Sequence, residues 1–219
     1  MTEGFKYECY AAHGSDLGAG VTGWLARDHP GHVVGIHLAT PGLVVPADRR
    51  SVAEERFAEA VAKWVSEEGG YMHEHATKPA TLAAALSDSP AGLAAWIGEK
   101  VVAWSSEGAD GVPAFDRDLL LSTLTLYWVT NTIATSLMPY WASRHADAAL
   151  PSDDPSQVPT SVTLFGGEHV PFPKPPRELA ERYYNITDWS EHLDGGHFPA
   201  VAEPENLAIA IRQFFRQLR

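Results

Sequence analysis

The chain is short of cysteine, of positive charge and of uninterrupted apolar sequence, and each shortage removes a class of protein. A single cysteine, Cys9, in 219 residues has no internal partner, so no disulfide framework holds the fold and a reducing compartment is expected. Cys9 lies in an apolar stretch and is expected in the core, where cysteine is commonly found. Only 16 lysines and arginines stand against 28 aspartates and glutamates, for a formal net charge of −12. That balance repels nucleic acid and anionic lipid and favours a neutral or cationic small ligand. No apolar run approaches the roughly 20 residues of a membrane helix. The opening residues 1–15 lack the charged-then-apolar order of a signal peptide, so a cytoplasmic location is expected.

What the chain does have is enough apolar sequence for a sizeable core, with 45% hydrophobic residues and seven tryptophans. The pattern begins as α/β. Residues 5–12 read as a strand ending at His13-Gly14, residues 18–28 as a helix with Val21, Trp24 and Leu25 on its apolar stripe, and residues 32–38 as a buried strand. A strand-helix-strand unit of this length points to parallel pairing, with ligands at the carboxyl ends of the strands.

From residue 41 to residue 149 the periodicity becomes helical. Phe57, Val61, Trp64 and Val65 make one stripe. Ser89-Pro90 provides an N-cap and a proline at the first helical position for a helix through Leu93, Trp96, Ile97 and Val101. A third helix from about Asp116 is apolar nearly all round through Leu126, Trp128 and Ile133 and is expected to be largely buried. Strand signals return at Thr160–Phe165 and at about Tyr184–Trp189, and a closing helix starts at Pro204 with Leu207, Ile211, Phe214, Phe215 and Leu218 on its apolar side. The expected organisation is therefore residues 1–40 as the start of an α/β core, 41–149 as a helical lid, and 150–219 as the end of that core, with a polar joint at 150–159.

Three chemistry-bearing residues each follow an expected strand. Gly14-Ser15-Asp16-Leu17-Gly18 has the outline of a nucleophile elbow with aspartate in place of serine. Glu168 follows Gly166-Gly167, and His197 follows Gly195-Gly196. In a parallel sheet all three emerge at one edge, in the order nucleophile, acid, base. A carboxylate is already anionic at neutral pH and can displace a leaving group from saturated carbon, giving an ester that a histidine-activated water then breaks. Taken singly, a Gly-Ser-Asp turn reads as no more than a turn. Asp153, Asp154 and Asp188 are alternatives to Glu168 as the orienting acid. His73-Glu74-His75 lacks a third metal ligand at a convincing spacing, which favours a solvated or capping role. His13 reads as structural.

The order of the elbow, Gly70-Tyr71-Met72-His73 with Thr77-Lys78-Pro79, Leu86 to Ile97, Tyr127-Trp128-Val129-Thr130 and Gly195-Gly196-His197-Phe198 resembles the microsomal-type epoxide hydrolases of the α/β-hydrolase superfamily. The resemblance runs nearly end to end and is most specific from Tyr71 to Trp104. It implies a partial α/β-hydrolase fold with a helical lid, conversion of an apolar epoxide to a vicinal diol by water, and no metal or organic cofactor. It further implies Asp16 as nucleophile, Glu168 as acid, His197 as base, Tyr71 and Tyr140 as the pair that holds the epoxide oxygen, and the backbone N–H of Leu17 as an oxyanion donor. Phenols suit that task, since they donate a hydrogen bond without acting as bases at neutral pH.

The chain also departs from the pattern. The family has strands before the elbow and a His-Gly-x-Pro loop supplying a second oxyanion donor, whereas here only residues 1–15 precede Asp16 and no His-Gly-x-Pro occurs. Impaired turnover is the expectation, along with an open edge on the first strand that invites self-association. Leu17 stands where the family commonly has tryptophan. A haloalkane dehalogenase would use the same ester chemistry but needs halide donors near the nucleophile, which Leu17 is not. The non-catalytic alternative is a hydrolase-like module that binds an apolar ligand.

Overall fold

A computed structural model describes residues 1–47, 50–108, 113–146, 150–152 and 154–218. A short helical turn, α1 (Thr2–Phe5), precedes strand β1 (Tyr10–Ser15), helix α2 (Leu17–Asp28) and strand β2 (Val33–Ala39). Six helices follow: α3 (Val52–Glu68), α4 (Gly70–Thr77), α5 (Pro79–Asp88), α6 (Pro90–Trp104), α7 (Arg117–Thr130) and α8 (Ile133–His145). A two-residue hairpin, β3 (Ser106–Glu107) with β4 (Pro113–Ala114), separates α6 from α7. The chain ends with β5 (Ser156–Phe165), α9 (Arg177–Ala180), β6 (Tyr184–His192), α10 (Pro199–Ala202) and α11 (Pro204–Arg216).

Among the described residues the main sheet has four strands in the order β1-β2-β5-β6, every neighbouring pair parallel. Because all strands run the same way, Asp16, the loop after Phe165 and the loop after His192 leave the sheet at its common carboxyl edge. Since β2 and β5 are hydrogen-bonded neighbours, α3 to α8 are an excursion between two adjacent strands.

Two apolar clusters reflect this division. The sheet core joins Ile36, Leu38, Val162 and Leu164 to Ala19 and Ala26 of α2 and to Leu179 and Tyr184. A second cluster, Ala83, Leu86, Leu93, Ile133 and Leu137, belongs to α5, α6 and α8. Helix α3 buries Phe57 in the sheet core rather than among the other helices. The helix starts are encoded locally. Ser51 and Glu54 form a reciprocal capping box, Ser89 accepts from Gly92 N at 3.0 Å with Pro90 next, and Asp116 accepts from Leu119 N at 2.9 Å.

Several expectations need correction. The first strand begins at Tyr10, because residues 2–5 take a helical turn that ends at Lys6 with φ 56°. Cys9 therefore lies ahead of the strand and is exposed, not in the core. On α2 the buried residues are Ala19, Thr22, Gly23 and Ala26, which let the helix approach the sheet closely, while Val21 is 62% exposed. The apolar segment from Asp116 is two helices broken at Asn131, which adopts φ 51°, and α7 has no buried residue. Its periodicity reported the apolar residues correctly, but little covers them, and Leu126 and Val129 are 61% and 69% exposed.

Candidate functional site

The elbow is built by close packing. A side chain at Gly14 would collide with the carbonyl of Gly18 and the hydroxyl of Thr22, so only glycine lets β1 turn directly into α2. Gly18, by contrast, faces open space. Asp16 sits at the bend with φ 52° and ψ −125°, a backbone region that side-chain-bearing residues rarely occupy. The bend lifts its carboxylate clear of the strand. Helix α2 starts at Leu17, so its positive dipole end begins at Asp16; Ala19 N donates to the Asp16 carbonyl at 3.0 Å, while the N–H groups of Leu17 and Gly18 have no partner within the helix.

His197 is brought to the same point from the other end of the chain. Its Nε2 lies 3.3 Å from Asp16 Oδ2. Gly195 and Gly196, with φ 114° and 60°, turn the backbone tightly, and a side chain at Gly196 would come within 2.8 Å of Trp104 O. His197 N donates to that carbonyl at 2.9 Å, and the imidazole packs against both Trp104 and Phe198, each ring centroid 5.0 Å away. The excursion helices thus help fix the histidine.

Tyr71 on α4 and Tyr140 on α8 meet edge to face with centroids 5.9 Å apart. Burial raises the phenol pKa of both, and the negative charge of Asp16 raises each further, with Tyr140 adding to the effect on Tyr71. Both phenols are therefore protonated donors at neutral pH, close enough to Asp16 to feel its charge.

Glu168 follows β5 as expected and is buried, bridged through its backbone to Ser106. Its carboxylate is ion-paired with Lys174, and no hydrogen bond joins it to His197. Of the alternatives, Asp154 pairs with Arg27 at 2.8 Å and Asp188 accepts from Ser161 Oγ at 2.7 Å, whereas Asp153 lies outside the described residues. Among the described residues no group of histidines, cysteines and carboxylates is disposed to hold a metal.

Four relationships escaped sequence reading: Lys174 on Glu168, Trp104 against His197, the contact of His13 with His37, and the burial of His75. His37 lies at the centre of the sheet, where Nδ1 approaches His13 Nδ1 at 2.9 Å and Nε2 approaches Thr163 Oγ1 at 3.0 Å. His13 is thus structural, as expected. His75 is 7% exposed rather than solvated, its Nε2 accepting from Trp96 Nε1 at 3.2 Å. The histidine and tryptophan contacts join residues far apart in the chain, and Lys174 lies six residues after Glu168 in a loop without regular spacing, so no local pattern announces them.

Beside His197, a cavity of about 180 Å³ opens between α6, α7 and α10, with Val101, Leu119, Leu120, Thr123, Phe198 and Val201 among its lining residues. Two polar residues at its wall are already engaged, Asp116 as the α7 cap and Ser105 Oγ with Val101 O at 2.6 Å.

The parallel sheet, the carboxylate elbow and the distal histidine define the α/β-hydrolase fold. The silkworm juvenile hormone epoxide hydrolase structure superimposes with a TM-score of 0.81 at 30% identity, covering 98% of this chain and 57% of that one. An Aspergillus niger epoxide hydrolase gives the same TM-score at 24% identity, a likeness of fold alone. In sequence, a Stigmatella aurantiaca protein bearing an epoxide hydrolase name is 37% identical over 97% of this chain and 48% of its own length. The Bombyx mori juvenile hormone epoxide hydrolase is 33% identical over 97% of this chain and 51% of its own. No protein-family model matches the chain. The chain belongs to the epoxide hydrolase family of the α/β-hydrolase superfamily, and it spans about half the length of the relatives it matches.

Proposed function

We propose that this chain carries the reacting groups of an epoxide hydrolase and that it converts an apolar epoxide to a vicinal diol through an ester on Asp16. What supports this reading is the 3.3 Å approach of His197 to Asp16, together with the contact of Tyr71 on α4 and Tyr140 on α8, whose phenols both feel the Asp16 charge. A nucleophile facing two protonated phenols suits a leaving oxygen that gains negative charge. A halide leaving group has no need of two oxygen-directed donors.

In the first half-reaction an Asp16 carboxylate oxygen bonds to an epoxide carbon, the ring C–O bond breaks, and a phenol of the Tyr71–Tyr140 pair gives its hydrogen to the oxygen released. In the second, His197 takes a proton from water and the hydroxide adds to the Asp16 carboxyl carbon. The tetrahedral oxyanion is held by the N–H of Leu17, and its collapse expels the diol oxygen, which takes the proton from His197. The remaining water proton restores the phenol. Glu168 orients His197 in this scheme. Lys174 occupies one carboxylate oxygen, and the other, which makes no hydrogen bond to His197 at rest, accepts from Nδ1 as the imidazole takes the proton. The excursion α3 to α8 acts as the lid, and the cavity beside Phe198 seats the apolar substituent, since its wall is mostly apolar side chains such as Val101, Leu119, Leu120, Phe198 and Val201. The free edge of β1 pairs with another strand, supplied by a second copy or by further parts of the fold.

Single turnover in ¹⁸O-labelled water tests this scheme. The label is expected in the Asp16 carboxyl and not in the first diol released; label in that diol would mean that water attacks the epoxide directly.

A further inference from the structure

His75 stands one helical turn after Tyr71 on α4, which places both on the same face. Its Nε2 accepts from the indole N–H of Trp96 at 3.2 Å. An indole nitrogen can only donate, so Nε2 must carry the lone pair and the single ring hydrogen sits on Nδ1. That Nδ1 is buried and has no hydrogen-bond partner, in a residue only 7% exposed. A buried donor left unmatched costs roughly 1–3 kcal/mol, so this one points to a use. The rings packed around the imidazole are Tyr140 at 4.9 Å, Tyr71 at 5.6 Å and Trp96 at 5.8 Å. Trp96 already serves Nε2, and the acceptors that the other two bring are their phenol oxygens.

We propose that His75 is a positioning residue for the phenol pair: its Nδ1–H, unpaired at rest, takes up the neighbouring Tyr140 oxygen as that phenol delivers its hydrogen to the opening epoxide. This rests on the reaction proposed above. As the ring C–O bond breaks and the Asp16–carbon bond forms, negative charge moves through the shared hydrogen onto the phenol oxygen. That charge arises on a partly buried phenol already within reach of the Asp16 charge, where an N–H donor is worth more than in water. No proton leaves His75.

Burial first, and the Lys100 charge second, lower the pKa of His75 and favour the neutral imidazole that the role needs. Lys100 lies over the Tyr71 ring at 4.7 Å and pairs with Glu99 at 2.8 Å, and the charges of Glu99 and Asp16 both reach Tyr71. Protonating His75 would break the bond from Trp96, since imidazolium accepts nothing.

The test measures formation of the Asp16 ester by intact mass after mixing with styrene oxide, in a His197→Gln background where the ester persists. Adding His75→Phe is expected to slow ester formation about tenfold to a hundredfold, less than the hundredfold to thousandfold typical of a donor touching an oxyanion directly. The epoxide concentration for half-maximal rate is expected to stay within about twofold. His75→Gln keeps an N–H donor and is expected to restore most of the rate. In a Tyr140→Phe background, His75→Phe is expected to add nothing, because the two act as one unit. Equal impairment by His75→Phe and His75→Gln, additive losses with Tyr140→Phe, or an unchanged rate in His75→Phe would each overturn the proposal alone. Absence of ester in the His197→Gln parent would overturn it together with the reaction on which it rests.

Discussion

Lys174 is ion-paired with Glu168, whose side chain is 2% exposed, so the carboxylate at the end of β5 is held by a cation from its own loop. Removing one partner strands a charge in a buried place. Lys174→Met is expected to lower unfolding stability by about 2–3 kcal/mol, toward the low end for a buried pair because the lysine is partly solvated. The double variant Glu168→Gln/Lys174→Met is expected to be more stable than Lys174→Met alone. Urea unfolding of the native chain, Glu168→Gln, Lys174→Met and the double variant measures the coupling; strictly additive losses would mean that the pair contributes nothing.

Asp16 is expected to be stability sacrificed to function. Its φ of 52° with ψ −125° strains any residue with a side chain, at a cost of about 1–3 kcal/mol. Asp16→Gly is therefore expected to be more stable than the native chain by about 0.5–2 kcal/mol, after allowing for the greater freedom of glycine when unfolded, and to form no ester. A lower urea midpoint in Asp16→Gly would contradict the strain assigned to the elbow.

The histidine pair at the centre of the sheet makes the fold acid-sensitive. Burial, with His13 beside it, lowers the His37 pKa from 6.5 to about 3. In the unfolded chain the imidazole titrates near 6.5, so between these values the unfolded state binds the extra proton. This contribution to stability is complete above about pH 6.5 and is lost progressively as pH falls toward 3, with a slope of up to about 1.4 kcal/mol per pH unit. His37→Gln removes the titration while keeping a polar partner for Thr163. It is expected to flatten the fall in urea midpoint between pH 6.5 and 4; an unchanged slope would show that other groups govern acid unfolding.

The phenols are expected to share their task without redundancy. Either Tyr71→Phe or Tyr140→Phe is expected to lower kcat by about a hundredfold with a smaller change in KM, and the double variant by more than either. Equal loss in KM and none in kcat would mean that the tyrosines bind substrate without assisting ring opening.

Much of the site was legible because its signals are local. Gly14, Asp16, Gly195, Gly196 and His197 announce themselves as sharp turns after strands, and Ser89-Pro90 marks a helix start that the structure reproduces. The α/β reading of the sheet came from strand spacing alone, as did the placement of both loops at one edge. What sequence periodicity could not convey is what covers an apolar residue. Cys9 and Leu126 were both expected inside and lie outside, one ahead of its strand and the other on a helix with little packed against it. Lys174 on Glu168, His37 on His13 and Trp96 on His75 were likewise illegible, because the two histidine contacts are tertiary and the lysine looked like any loop cation.

The nucleophilic role of Asp16 is tested most directly by the mass of the intact His197→Gln protein after incubation with styrene oxide. With His197 lying 3.3 Å from the carboxylate and assigned to break the ester, its removal is expected to leave protein heavier by one epoxide, the added mass mapping to Asp16 and absent from Asp16→Asn. A folded His197→Gln protein of unchanged mass, or an adduct that survives Asp16→Asn, would contradict the account.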